Sequence, residues 1–84
     1  LYSLNLLIFV TMEWRYNMER KLLNRIKVVL AEKNKSNKWL SEQLDKDPAI
    51  ISKWVTNTTQ PSVEMLIQIA KALNVSVNDL LRTE

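Results

Sequence analysis

From residue 18 onward the apolar residues recur every three or four positions, the period of amphipathic helices. Leu22, Leu23, Ile26, Val29 and Leu30 fall on one face of a first helix and leave Arg20, Lys27 and Ala31 outward. Ser36 is a good N-cap for a second helix with Leu40 and Leu44 inward. Asp47 followed by Pro48 signals the start of a third: a carboxylate cap, then a proline where no N–H is needed. This helix runs to about Thr56, where the stretch "NTTQPS" breaks it. Ser62 caps a fourth helix burying Val63, Leu66, Ile69, Ala70 and Leu73, with Gln68 and Lys71 on the wet side. Glu64 lies near the positive end of that helix dipole. Ser76 and Asp79 have the spacing of a capping box that opens a short fifth helix with Leu80 and Leu81. No strand alternation appears after residue 12, so the expected fold is all-α, a compact domain of five short helices.

The chain contains no glycine. Backbone sites that favour positive φ must then use the next best residues, and Asp45, Asn57 and Asn74 stand at helix ends where one is expected.

Eighty-four residues make one domain with a core just large enough to fold alone. Its opening, "LYSLNLLIFVTM", is too short to span a bilayer and lacks the basic leader of a signal peptide. Residues 1–17 read as an extension, either upstream read-through ahead of Met18 or an arm that packs on the domain or on a second copy. Residues 18–84 read as the domain proper.

On a helical wheel the third helix divides sharply. Ile51, Trp54 and Val55 fall on the core side, and Ala49, Ser52, Lys53 and Thr56 on the other. The outer face is slim and carries no acid beyond the cap. A face of that kind suits a groove about one helix wide and lined with phosphates. Charge sharpens the picture. Residues 20–61 hold nine Lys and Arg against four acids, whereas the segments on either side are each net −1. A polyanion is the natural partner for such a block. The chain has no cysteine and no histidine, so disulfides, thiolate metal sites and most nucleophilic or zinc chemistry have no carrier. No convergent acid–base or metal cluster replaces them. The reading is a non-enzymatic protein without metal or cofactor.

The string "SNKWLSEQLDKDPAIISKW", followed by "QPSVEMLIQIAKALNVSVNDLL", resembles the helix-turn-helix family of phage repressors and Cro proteins, the XRE-type regulators. The resemblance covers residues 22–81. Ser41 matches the small residue of the motif's first helix, and Leu40, Leu44, Ile51 and Trp54 match its buried positions. It implies a compact five-helix domain that binds duplex DNA with the third helix, residues 48–56, in the major groove. Base reading would fall to Pro48, Ala49 and Lys53, with Ser52 adjacent. Phosphate contacts would fall to Asn37, Thr56, Asn57, Thr58, Thr59 and Gln60, and Lys38 beside them is a further phosphate candidate by its charge. The chain departs from the pattern twice: the turn glycine is Asp45, and the usual apolar turn residue is Lys46, which must snorkel or face solvent.

The fourth helix has a wider apolar sector than its core contact requires. Met65 and Ile67, with Leu80 and Leu81, form a candidate dimer interface. Two copies would set their reading helices about one DNA turn apart, roughly 34 Å, on a near-palindromic site. The expected protein is a small cytoplasmic, nucleoid-associated transcriptional regulator, a repressor or controller. The competing reading is an antitoxin-like module that pairs with a toxin or another protein through the same apolar sector.

Overall fold

The computed structural model describes residues 22–82. The apolar opening and the expected boundary at Met18 therefore lie outside the described residues. The domain is all-α: α1 (Ile26–Glu32), α2 (Asn37–Leu44), α3 (Pro48–Val55) and α4 (Val63–Leu73), then a 3-10 turn (Val77–Leu80).

Helix starts follow local side-chain chemistry. Ser36 Oγ accepts from Trp39 N at 3.0 Å, Asp47 Oδ1 from Ala49 N at 2.7 Å and Ser62 Oγ from Met65 N at 3.1 Å. Each oxygen satisfies an N–H that the first helical turn leaves unpaired. Ser76 and Asp79 cap each other reciprocally over 3.1–3.2 Å. The bond from the Ser76 backbone N–H, then that with its side chain, holds the Asp79 carboxyl below its ordinary pKa.

Helix ends repeat one device. Asn34, Asp45, Asn57 and Asn74 all have positive φ, between 52° and 61°. After each, an N–H reaches five residues back: Lys35 N to Leu30 O, Lys46 N to Ser41 O, Thr58 N to Lys53 O and Val75 N to Ala70 O. This is the Schellman arrangement, which pairs otherwise orphaned carbonyls and here runs without any glycine. Asn34 is the one member that the sequence reading did not single out.

The core is built from Ile26, Val29 and Leu30 of α1, Leu40 of α2, Ile51 and Val55 of α3, Ile69, Ala70 and Leu73 of α4, and Leu80. Burial of each large side chain contributes about 1.5–3 kcal/mol. α2 packs on α3 and α4, α1 on α3, and the 3-10 turn closes on α4 and α1.

Four expectations are corrected. α1 begins at Ile26, and Leu22 and Leu23, 46% and 50% exposed, precede it rather than share its face. The backbone there is held by the other end of the domain: Arg25 N donates to Leu80 O and Arg82 N to Leu23 O, around an antiparallel bridge between Asn24 and Leu81. Val63 is 71% exposed, because it opens α4 beyond the core edge, while the neighbouring Pro61 is buried. The fifth helix is a single 3-10 turn, confined between its capping box and the bridge at Leu81. Leu80 is fully buried in the core, so it cannot belong to a surface shared with a second subunit.

Candidate nucleic-acid interface

α2 and α3 are joined through Asp45, Lys46 and Asp47. Asp45 turns the chain with φ 52° and ψ 49°, and Asp47 then caps α3, whose first residue is Pro48. Lys46 is exposed, so the polar replacement in the turn faces solvent. Ser41 is buried, and its hydroxyl donates to Lys38 O at 3.0 Å, which satisfies the one polar group it brings into the packed side of α2.

With Ile51 and Val55 buried and Trp54 half-buried, the orientation of α3 is fixed. Pro48, Ala49, Ser52, Lys53 and Thr56 are all exposed, so the chain brings the four base-reading candidates to one surface. Ile50 joins them at the rim. It is 41% exposed, a large apolar side chain that the wheel reading passed over. No acid lies within α3 itself; the nearest carboxylates, Asp45 and Asp47, flank its start. The face therefore offers a cation, a hydroxyl and several methyl groups.

The phosphate candidates separate into two groups. Asn37 and Lys38 are exposed in the first turn of α2, at the positive end of its dipole. Close by, the Lys35 ammonium lies 4.9 Å from the centre of the half-buried Trp39 ring. Beyond α3, Thr58 and Thr59 are exposed. The Thr56 hydroxyl donates back to Ser52 O at 2.9 Å and lies 2.8 Å from that of Thr58. Asn57 and Gln60 behave differently, because their side chains turn toward Asn24.

Asn24 is the residue that sequence reasoning missed. It is 3% exposed. Its Nδ2 donates to Trp54 O at 2.9 Å and to Gln60 Oε1 at 2.8 Å, and its Oδ1 accepts from Ile26 N at 3.1 Å. Its backbone N donates to Asn57 Oδ1 at 2.9 Å, and its carbonyl accepts from Asn57 Nδ2 at 3.2 Å. Gln60 Nε2 completes the set by donating to Asn57 Oδ1 at 3.2 Å. The only signal in the sequence was local: an Asn two residues before a helix, a cap-type position.

Beside this network lies a groove of about 250 Å³, lined by Arg25, Lys27, Arg82, Leu22, Val28 and the α3 end at Thr56 and Asn57. Its titratable lining, Arg25, Lys27 and Arg82, is entirely cationic.

Residues 26–80 match the helix-turn-helix family model HTH_3. The chain is an XRE-type helix-turn-helix protein. Among solved structures it is similar to one described as a "putative DNA-binding protein from Bacteroides fragilis", with 52% sequence identity and a TM-score of 0.70 over 71% of this chain and 97% of that one. No curated relative matches. In this helix-turn-helix protein, α2 and α3 are the two helices of the motif, and the exposed face of α3 is the one the fold turns outward. No helix among the described residues is long and apolar enough to cross a membrane.

Proposed function

We propose that this helix-turn-helix protein binds duplex DNA as a transcriptional regulator, with α3 lying in the major groove. The observation that carries the reading is the acid-free outer surface of α3, where Ala49, Ser52, Lys53 and Thr56 are exposed while Ile51 and Val55 anchor the opposite side. Lys53 donates to guanine O6 and N7, Ser52 adds a hydroxyl, and Pro48, Ala49 and Ile50 offer apolar contact to thymine methyls. Asn37 and Lys38 at the start of α2, with Thr58 and Thr59 after α3, fix the register on the backbone. With few hydrogen-bonding groups on the reading face, discrimination depends on Lys53, on methyl contacts and on DNA shape. Two copies would occupy a near-palindromic site, with Met65, Ile67 and Leu81 available for their contact once Leu80 is assigned to the core.

Titration of a duplex chosen by selection from random sequence tests this reading. Lys53→Ala is expected to weaken binding about 10- to 100-fold at the selected sequence and to relax preference there. Wild-type log affinity is expected to fall linearly with log salt. Equal affinity of wild type and Lys53→Ala on every sequence would reassign the reading helix. A flat salt response would remove DNA contact altogether.

A second reading, an antitoxin-like module that pairs with a protein, draws on Val63 and Ile67, which are both exposed one turn apart on α4. Co-purification of a stoichiometric protein without DNA retention would favour it.

A further inference from the structure

We propose that Asn24 is a positioning residue for DNA backbone contact, acting through the loop that follows α3. This rests on the DNA-binding reading above and deepens it. Thr58 and Thr59 lie between Asn57 and Gln60, and both of those side chains are bonded to Asn24. The same amide holds Trp54 O, in the last turn of α3. The Asn24 side chain therefore ties the reading helix and the Gln60 shoulder of the phosphate loop to the chain just before α1, and its backbone ties the Asn57 shoulder. The other bonds described for the loop are local: Asn57 N reaches Trp54 O, while Thr58 and Thr59 N both reach Lys53 O. They shape the loop but do not set its height relative to the rest of the domain.

The chemistry calls for an amide. Two acceptors, Trp54 O and Gln60 Oε1, face Nδ2, and a donor, Ile26 N, faces Oδ1. A carboxylate at this position would present oxygen to two oxygens, and an apolar side chain would remove a partner from all three, leaving Trp54 O with its bond from Asn57 N alone. A hydroxyl on Thr58 or Thr59 meets a phosphate oxygen only within hydrogen-bond reach, so a shift of about 1 Å in the loop loses the contact.

The test is a pair of double-mutant cycles on the full chain. DNA affinity is read by fluorescence anisotropy on the selected duplex, at a temperature where circular dichroism shows every variant fully folded. Asn24→Ala is expected to weaken binding about fivefold to tenfold. It is expected to be non-additive with Thr59→Ala, whose contact it has already lost, and additive with Lys38→Ala, whose exposed side chain lies in the first turn of α2. A purely structural residue would lower the melting temperature without that selective coupling. Gln60→Ala, at an exposed position, breaks the same tie from its outer end and decides the matter if Asn24→Ala does not fold. Wild-type affinity for folded Asn24→Ala or Gln60→Ala, or additivity with Thr59→Ala, overturns the proposal. Absence of any salt-dependent binding by the wild type overturns the DNA reading, and this inference with it.

Discussion

At its N-terminal end α3 is held by groups only a few residues away. Asp47 caps it from two residues before Ala49, and Lys46 N closes onto Ser41 O across the turn. At its C-terminal end it is held by Asn24, which lies 30 residues from Trp54, 33 from Asn57 and 36 from Gln60. The first end is a matter of local backbone chemistry and forms wherever those residues meet. The second exists only once α1 has docked. The turn into α3 can therefore be altered with a graded effect, whereas the loop out of it leans on the Asn24 side chain at Trp54 O and Gln60 and on the Asn24 backbone at Asn57.

Stability measurements on single variants test this contrast. The largest effect is expected at Asn24. Asn24→Ala removes three hydrogen bonds, to Trp54 O, Gln60 Oε1 and Ile26 N, although Trp54 O keeps its bond from Asn57 N, and is expected to lower stability by about 1.5–3 kcal/mol, seen as a reduced urea midpoint at constant slope. Asp47→Ala removes one cap bond and is expected to lose about 1 kcal/mol by the same measurement. Equal losses at the two positions would erase the distinction between the ends. The smallest effect has the opposite sign. Asp45 carries a left-handed backbone and a negative charge at the negative end of the α2 dipole, so Asp45→Gly is expected to gain about 0.5–1 kcal/mol. A loss there would mean that the Asp45 side chain has a role its geometry does not suggest.

The same contrast governs how much was legible in the sequence. Ser36, Asp47, Ser62 and the pair Ser76 and Asp79 act on N–H groups two or three residues away, so their roles could be read from spacing alone. The left-handed ends at Asp45, Asn57 and Asn74 were legible for the same reason, because a chain without glycine has few residues that suit such sites. The outer face of α3 followed from helical periodicity. Periodicity reports which side of a helix is apolar but not where the core stops, which is why Val63 was placed inside and is exposed. Leu22 and Leu23 failed differently. Their spacing fits a helix, but the backbone around them is engaged by Leu80 and Arg82 from the far end of the chain. Asn57 and Gln60 were expected at the phosphate backbone, and spacing gave no sign of the bonds their side chains also make to Asn24. The misreadings at Leu22, Leu23 and Val63 come from contacts across 30 residues or more or from the limit of the core, and neither leaves a trace in local pattern.

The antiparallel bridge between Asn24 and Leu81 has a geometric consequence. It brings the two ends of the described residues to one corner, with Leu23 and Arg82 sharing a hydrogen bond, and the groove beside the α3 exit opens at that same corner. Polypeptide attached before Leu22 or after Arg82 starts its path there. A bulky replacement of Leu22 or Arg82 competes for that groove, whereas one at the tight bend around Asn34, beyond the other end of α1, does not.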